Sequence, residues 1–564
     1  MDCSTPVYSN DYYDFISDIT VGGSLIDGDI GVECIQPLDV GYEVIYYARE
    51  NIGDFNVTEN NYWSIPKCYG LMDTQALEVS GILTMQNFPT LPLKGNGVLI
   101  GFVDTGIDYT NPLFLNEDGT TRIVRIWDQT ERTNTSPQGF IYGSEYTAEE
   151  INEALRSQNP YQVVPSRDVN GHGTFLAGVA AGSEDIANQF IGAAPRADIA
   201  VVKLKEAKPY LKKFYYIKRD AAAYQENDIM AAISYLHNLA YALSKPLAIC
   251  IGLGTNGGSH GGFDALGSLI SYVGTRGKRG VAIAAGNEAN ARHHYRGQLE
   301  SPIQSETVEI SVSNDVEGFV MEIWAVVPEM IAITVQSPTG EITRRLSAKE
   351  DRREEYRFLL EGTTLSVDYG LSGLTGGNQL IFLRFTKPTQ GIWKITVTLD
   401  NYITGRFHMW LPITQFQENP VFFLRPDPET TITEPSSTVV PITVGGYNAA
   451  DNSLYLESGR GYNINDRVKP DFLVPAVDVF GPGLRGNYVR MTGTSAAAAI
   501  TAGACAQLLE WGVTRGNNAF GMNTVEMKNM LILGCERDLS RTYPNKEEGY
   551  GRMNLYRTFL NMRR

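Results

Sequence analysis

Cysteine and histidine are scarce in this chain, six of each among 564 residues. Cys3, Cys34, Cys68, Cys250, Cys505 and Cys535 are scattered and form no CxxC pair. That spacing excludes a zinc ribbon or a dithiol redox motif and predicts free buried thiols in a reducing compartment. Positive charge is also short: 47 Lys and Arg stand against 64 Asp and Glu, a net charge of −17. Phosphate binding needs a basic face, so a nucleic-acid partner is excluded. No apolar run approaches the length of a membrane span. The start, Met1-Asp-Cys-Ser-Thr-Pro-Val-Tyr, lacks a basic stretch followed by an apolar one. No signal peptide is expected, and synthesis is expected to be cytoplasmic.

What the chain has is length enough for about three domains. Residues 1–70 are rich in Asp and Tyr and read as a small α+β unit, bounded by the Pro and Gly of Trp63-Ser-Ile-Pro-Lys-Cys-Tyr-Gly70. Gly97-Val-Leu-Ile-Gly-Phe-Val-Asp-Thr-Gly106 predicts a buried parallel strand with Asp104 at its C-terminal end. Ala197–Leu204, Pro246–Gly254 and Gly280–Glu288 read as further strands, the last ending near Asn287, with a helix over Asn227–Leu243. Strands alternating with helices predict a doubly wound parallel sheet. From 297 to 435 the pattern changes to short alternating strands between Gly, Asn and Pro turns, an inserted β-sandwich or jelly roll. The α/β pattern resumes over 436–564.

Three residues stand out. His172 lies between two glycines in Asn170-Gly-His-Gly-Thr174, and Ser495 opens the Ala-rich segment of Gly493-Thr-Ser-Ala-Ala-Ala-Ala-Ile500. Each alone has an ordinary structural reading: Ser and Asp cap helices, and a lone His is usually a satisfied core residue. Together with Asp104 they are the carboxylate, imidazole and hydroxyl that make a serine nucleophilic. Asn287 adds an amide donor for an oxyanion.

The order Asp-Thr-Gly, Gly-His-Gly-Thr, Gly-Thr-Ser-Ala resembles the subtilisin-like serine proteases. The resemblance spans roughly 70–296 and 436–555. It implies a subtilisin-like fold, an Asp104–His172–Ser495 triad, an oxyanion hole at Asn287 and a substrate-pairing strand at Gly252-Leu253-Gly254. It also implies a chaperone and inhibitor prodomain at 1–70, cut in cis between about Ile65 and Gln75. The catalytic domain then covers 71–296 and 436–564. The helix after Ser495 departs from the family by lacking a proline four residues on.

The insertion and the short N-terminal unit resemble the Csp germination proteases of clostridial spores. That likeness implies a monomeric endopeptidase, associated with the spore, which activates a cortex-hydrolase zymogen by limited proteolysis. Its partners are then a protein substrate and its own prodomain. No cofactor or metal is expected. A structural calcium, which subtilases often hold after the histidine helix, would fall at Gly182–Asn188. Three competing readings are a subtilase of another role in an anaerobic bacterium, a signalling or binding pseudoprotease, against which the intact triad speaks, and a carbohydrate-binding module resting on the β insertion alone.

Overall fold

The computed structural model describes residues 4–19, 32–52, 56–57, 62–71, 80–326, 329–347, 353–371, 378–518 and 521–562. At its centre is an eight-stranded sheet. Across it the order is Phe472–Pro475, Ile442–Tyr447, Arg279–Ala284, Leu247–Ile251, Leu99–Asp104, Asp198–Lys203, Ile123–Asp128 and Ser144–Thr147. The first seven run parallel, and the last pairs antiparallel at the edge. Buried on both faces, the central strands are continuous apolar runs such as Leu99-Ile-Gly-Phe-Val103.

One face is covered by the helices His172–Ala181 and Thr494–Leu509, the other by Glu226–Ala242 and Ala265–Thr275. All sixteen residues of Thr494–Leu509 are buried. Alanine lets this helix lie close to its neighbours; a Cβ on Gly503 would sit 2.3 Å from the Cβ of Ala193. Extended to Thr514, this segment is long and apolar enough to cross a membrane, contrary to the expectation that no run comes near that length. It is a core helix here, 89% buried in the protein.

Between Ala284 and Ile442 the chain leaves the sheet. Strands from His294 to Phe423 form two packed antiparallel sheets of six and five strands. The ends of this sandwich are joined: Phe423 N–H donates to the Arg292 carbonyl at 3.0 Å, and Asp427 N–H to that of His294 at 2.9 Å. The N-terminal unit is a three-stranded antiparallel sheet of Tyr12–Asp18, Tyr42–Ala48 and Val32–Pro37. Its residue Cys34 is disulfide-bonded, which corrects the expectation of uniformly free thiols; Cys68, Cys250, Cys505 and Cys535 are free and buried. Spacing in sequence says nothing about which thiols meet in space.

One hydrophobic core joins all three units. Tyr62 from the N-terminal unit packs edge-on against Trp324 of the sandwich, with ring centroids 5.6 Å apart. Phe382, also of the sandwich, stacks on Phe214 at 5.7 Å and 5°. Trp324→Ala is therefore expected to cost about 3–5 kcal/mol, seen as a lower Tm and faster trypsin cleavage of residues 1–70. An unchanged Tm would remove the sandwich from any part in holding the N-terminal unit.

Candidate active site

Asp104 ends its strand at the carboxyl edge of the sheet, 1% exposed. Its Oδ1 faces Nδ1 of His172 at 2.8 Å and accepts Thr105 N–H at 2.8 Å. Oδ2 is buried with no hydrogen-bond partner among the described residues. His172 is the first residue of its helix, after Gly171 at φ 94°, a backbone that disfavours other residues. Gly173 is needed for closeness: a Cβ there would lie 2.2 Å from the Gly106 carbonyl oxygen and 3.2 Å from Asp104 Oδ1.

The two loops interlock through Asp168. Its Oδ1 accepts from Thr105 Oγ1 (2.9 Å), Asn170 N–H (3.0 Å) and Gly171 N–H (2.8 Å). Its Oδ2 accepts from the N–H (2.9 Å) and hydroxyl (2.7 Å) of Thr174. Gly173 N–H donates to Thr105 Oγ1 at 2.9 Å. Sequence reasoning missed Asp168, although an aspartate four residues before a glycine-flanked histidine is a capping signal.

Ser495 is fully buried on the first turn of Thr494–Leu509. Its hydroxyl donates to the Gly252 carbonyl at 3.3 Å. A Cβ on Gly252 would meet Ser495 Cβ at 3.1 Å and His172 Cε1 at 3.2 Å. Serine and histidine thus converge on Gly252, and any larger residue there would push between them. Asn287 lies three residues past the strand Arg279–Ala284. Its Oδ1 accepts from the N–H (3.0 Å) and hydroxyl (3.2 Å) of Thr494. With the oxygen so occupied, Asn287 has its Nδ2 amide left to donate, and the serine helix its N-terminal N–H groups. That pair of donors suits an anion developing at Ser495.

Leu253–Gly254 continues from Gly252 as a short strand, and it is not bare. The stretch Cys68–Leu71 lies antiparallel on it, Leu71 opposite Leu253 and Gly70 opposite Gly254. On its other edge the same stretch pairs with Tyr224–Gln225. All seven residues expected at the site are therefore brought to one end of the sheet. Of the expected cut interval, residues 72–75 lie outside the described residues. The calcium expectation falls on the loop Gly182–Asn188. Both oxygens of Asp185 are engaged, by Asn188 N–H (3.2 Å), Asn188 Nδ2 (2.9 Å) and Tyr488 Oη (2.7 Å).

The model of the subtilase family matches residues 95–339 and 425–551. The chain belongs to the subtilase family. The CspB protease of Clostridium perfringens superposes on this subtilase with a TM-score of 0.76 at 31% identity, over 86% of this chain and 99% of that one. The subtilisin-like proteases SBT2.2 and SBT2.1 of Arabidopsis thaliana are 32% and 35% identical over 126 and 130 residues. Those matches span 19% of this chain and only 15% of the plant proteins' length.

Proposed function

We propose that this subtilase hydrolyses peptide bonds with Asp104, His172 and Ser495 as its triad. His172 takes the Ser495 proton through Nε2 while Asp104 holds Nδ1–H and stabilises the imidazolium. The Ser495 oxygen adds to the scissile carbonyl, and the Asn287 amide and the Ser495 N–H hold the resulting oxyanion. Gly252, Leu253 and Gly254 bind the substrate backbone as an added strand.

The observation that carries this reading is the strand Cys68–Leu71 laid on Leu253–Gly254, next to the glycine that Ser495 touches. A substrate takes that path. Residues 1–70 then act as a prodomain, templating a sheet whose long-range parallel pairing folds slowly alone. The chain cuts itself in cis shortly beyond Leu71. Likeness to the CspB protease over most of both chains supports a further step: limited proteolysis of a protein zymogen, the cortex hydrolase of a germinating spore.

Wild-type protein should run as two bands on a denaturing gel and Ser495→Ala as one. N-terminal sequencing of the larger band should begin just after Leu71. A single full-length wild-type band that still hydrolyses peptides would refute self-cleavage. The same cut in Ser495→Ala, with no other protease present, would refute the triad.

A further inference from the structure

Lys67, one residue before the strand on the substrate path, is buried where a lysine is costly. Its side chain is 2% exposed, and Nζ has no hydrogen-bond partner among the described residues. Nζ lies 3.3 Å from Oε2 of Glu226, whose side chain is 0% exposed. The backbone ties the same two residues together. Lys67 N–H donates to Glu226 Oε2 at 3.1 Å, and Glu226 N–H donates to the Lys67 carbonyl at 2.9 Å.

Three more buried carboxyls close the site. Glu322 arrives from the sandwich, held by Tyr62 Oη (2.7 Å), Trp324 Nε1 (3.0 Å) and Gly258 N–H (3.0 Å). It meets the lysine stem over Gly257: a Cβ there would lie 3.5 Å from Glu322 Oε1 and 3.7 Å from Lys67 Cγ. Asp264 caps the helix Ala265–Thr275, and Glu434 lies on the return from the sandwich. Oε1 of Glu226 and of Glu434 each lack a geometric hydrogen-bond partner among the described residues. Burial, then the charge of Glu226, pushes Asp264 up to about 6, and the Lys67 ammonium acts the other way. Burial likewise raises Glu434 and Glu322, and Lys67 opposes both shifts. The cation these carboxyls share is thus carried by the strand that lies where substrate lies.

We propose that Glu226, backed by Asp264, Glu322 and Glu434, is a specificity subsite that selects a basic residue in the protein substrate, at the position Lys67 takes in the chain's own strand. This rests on reading Cys68–Leu71 as the substrate path. The selected residue stands four places before the one that pairs with Leu253. An uncharged residue there leaves Glu226 buried without its counter-charge, the costly way to break a buried pair. Sites built around buried polar groups reject ligands that lack the partner. A cavity of about 30 Å³ lies beside Lys67 and Glu322.

The test uses the full-length chain and three fluorogenic peptides spanning residues 64–78 of its own sequence, with lysine, arginine or norleucine at position 67. Lysine and arginine peptides are expected to exceed the norleucine peptide in kcat/KM by roughly ten- to a hundredfold. Glu226→Gln should bring the lysine-to-norleucine ratio towards one, whatever it does to the absolute rates. General damage to the fold lowers both rates and leaves the ratio. Glu434→Gln touches none of the strand's backbone bonds and should lower the ratio less, keeping the test open should Glu226→Gln fail to fold. Equal kcat/KM for lysine and norleucine in wild type, or a ratio unmoved in the variants, overturns the inference. So does a wild type that cuts itself through Ser495 but none of the peptides, since the subsite then serves only the chain's own strand. A wild type that does neither overturns the proposed function instead.

Discussion

Ser495→Ala and His172→Ala are each expected to lower kcat by about a millionfold, with the double variant hardly worse than either. Nucleophile and base act as one unit, so removing either disables both. The fold should survive the first change, because the hydroxyl's bond is a single 3.3 Å contact to the Gly252 carbonyl. Losing a neutral bond of that kind costs about 1 kcal/mol. Burst titration with an activated ester, beside a thermal melt of each variant, checks both parts. Two results would sink the assignment: a Ser495→Ala protein within a hundredfold of wild type, or single losses that multiply in the double variant.

Asn287→Ala should lower kcat by roughly a hundred- to a thousandfold with little change in KM, a range that subtilisin itself defines for the loss of one oxyanion donor. The amide acts only once charge develops, so ground-state binding should barely notice its removal. Thr494→Val separates donating from positioning. It removes the hydroxyl that holds Asn287 Oδ1 at 3.2 Å but keeps the N–H bond at 3.0 Å. It should cost less than removing Asn287. A rise in KM with kcat intact would make Asn287 a substrate-binding residue.

Asp104, His172 and Ser495 are legible as candidates because they sit in local contexts that leave a mark. A parallel strand buried on both faces is a plain apolar run, so Asp104 stood out at its end. Glycines on both sides of His172 mark a close approach, here to the Gly106 carbonyl. The strand Ile123–Asp128 leaves no such mark, because Arg125 interrupts its apolar pattern near the sheet edge. The Cys34 disulfide escaped, as pairing is a matter of space. Lys67 and Glu226 escaped for the same reason: 159 residues separate them, and each alone is an ordinary charged side chain. The β insertion was legible as a change of period. Its contact with the N-terminal unit was not, since a tyrosine and a tryptophan apart in sequence carry no sign of meeting.

The rings of Tyr62, Trp324, Phe382 and Phe214 belong to three separate stretches of chain, yet they share one apolar interior. Hydrolysis beyond Leu71 would sever the backbone and leave that interior closed. Release of the N-terminal piece then requires the interior to open to water, and its pace is set by that barrier. Bond cleavage and liberation become two clocks, the first running at the speed of chemistry and the second at the speed of unfolding. Replacing Phe382 or Phe214, whose rings make no bond to the carboxyls around Lys67, tunes the second clock without touching the first.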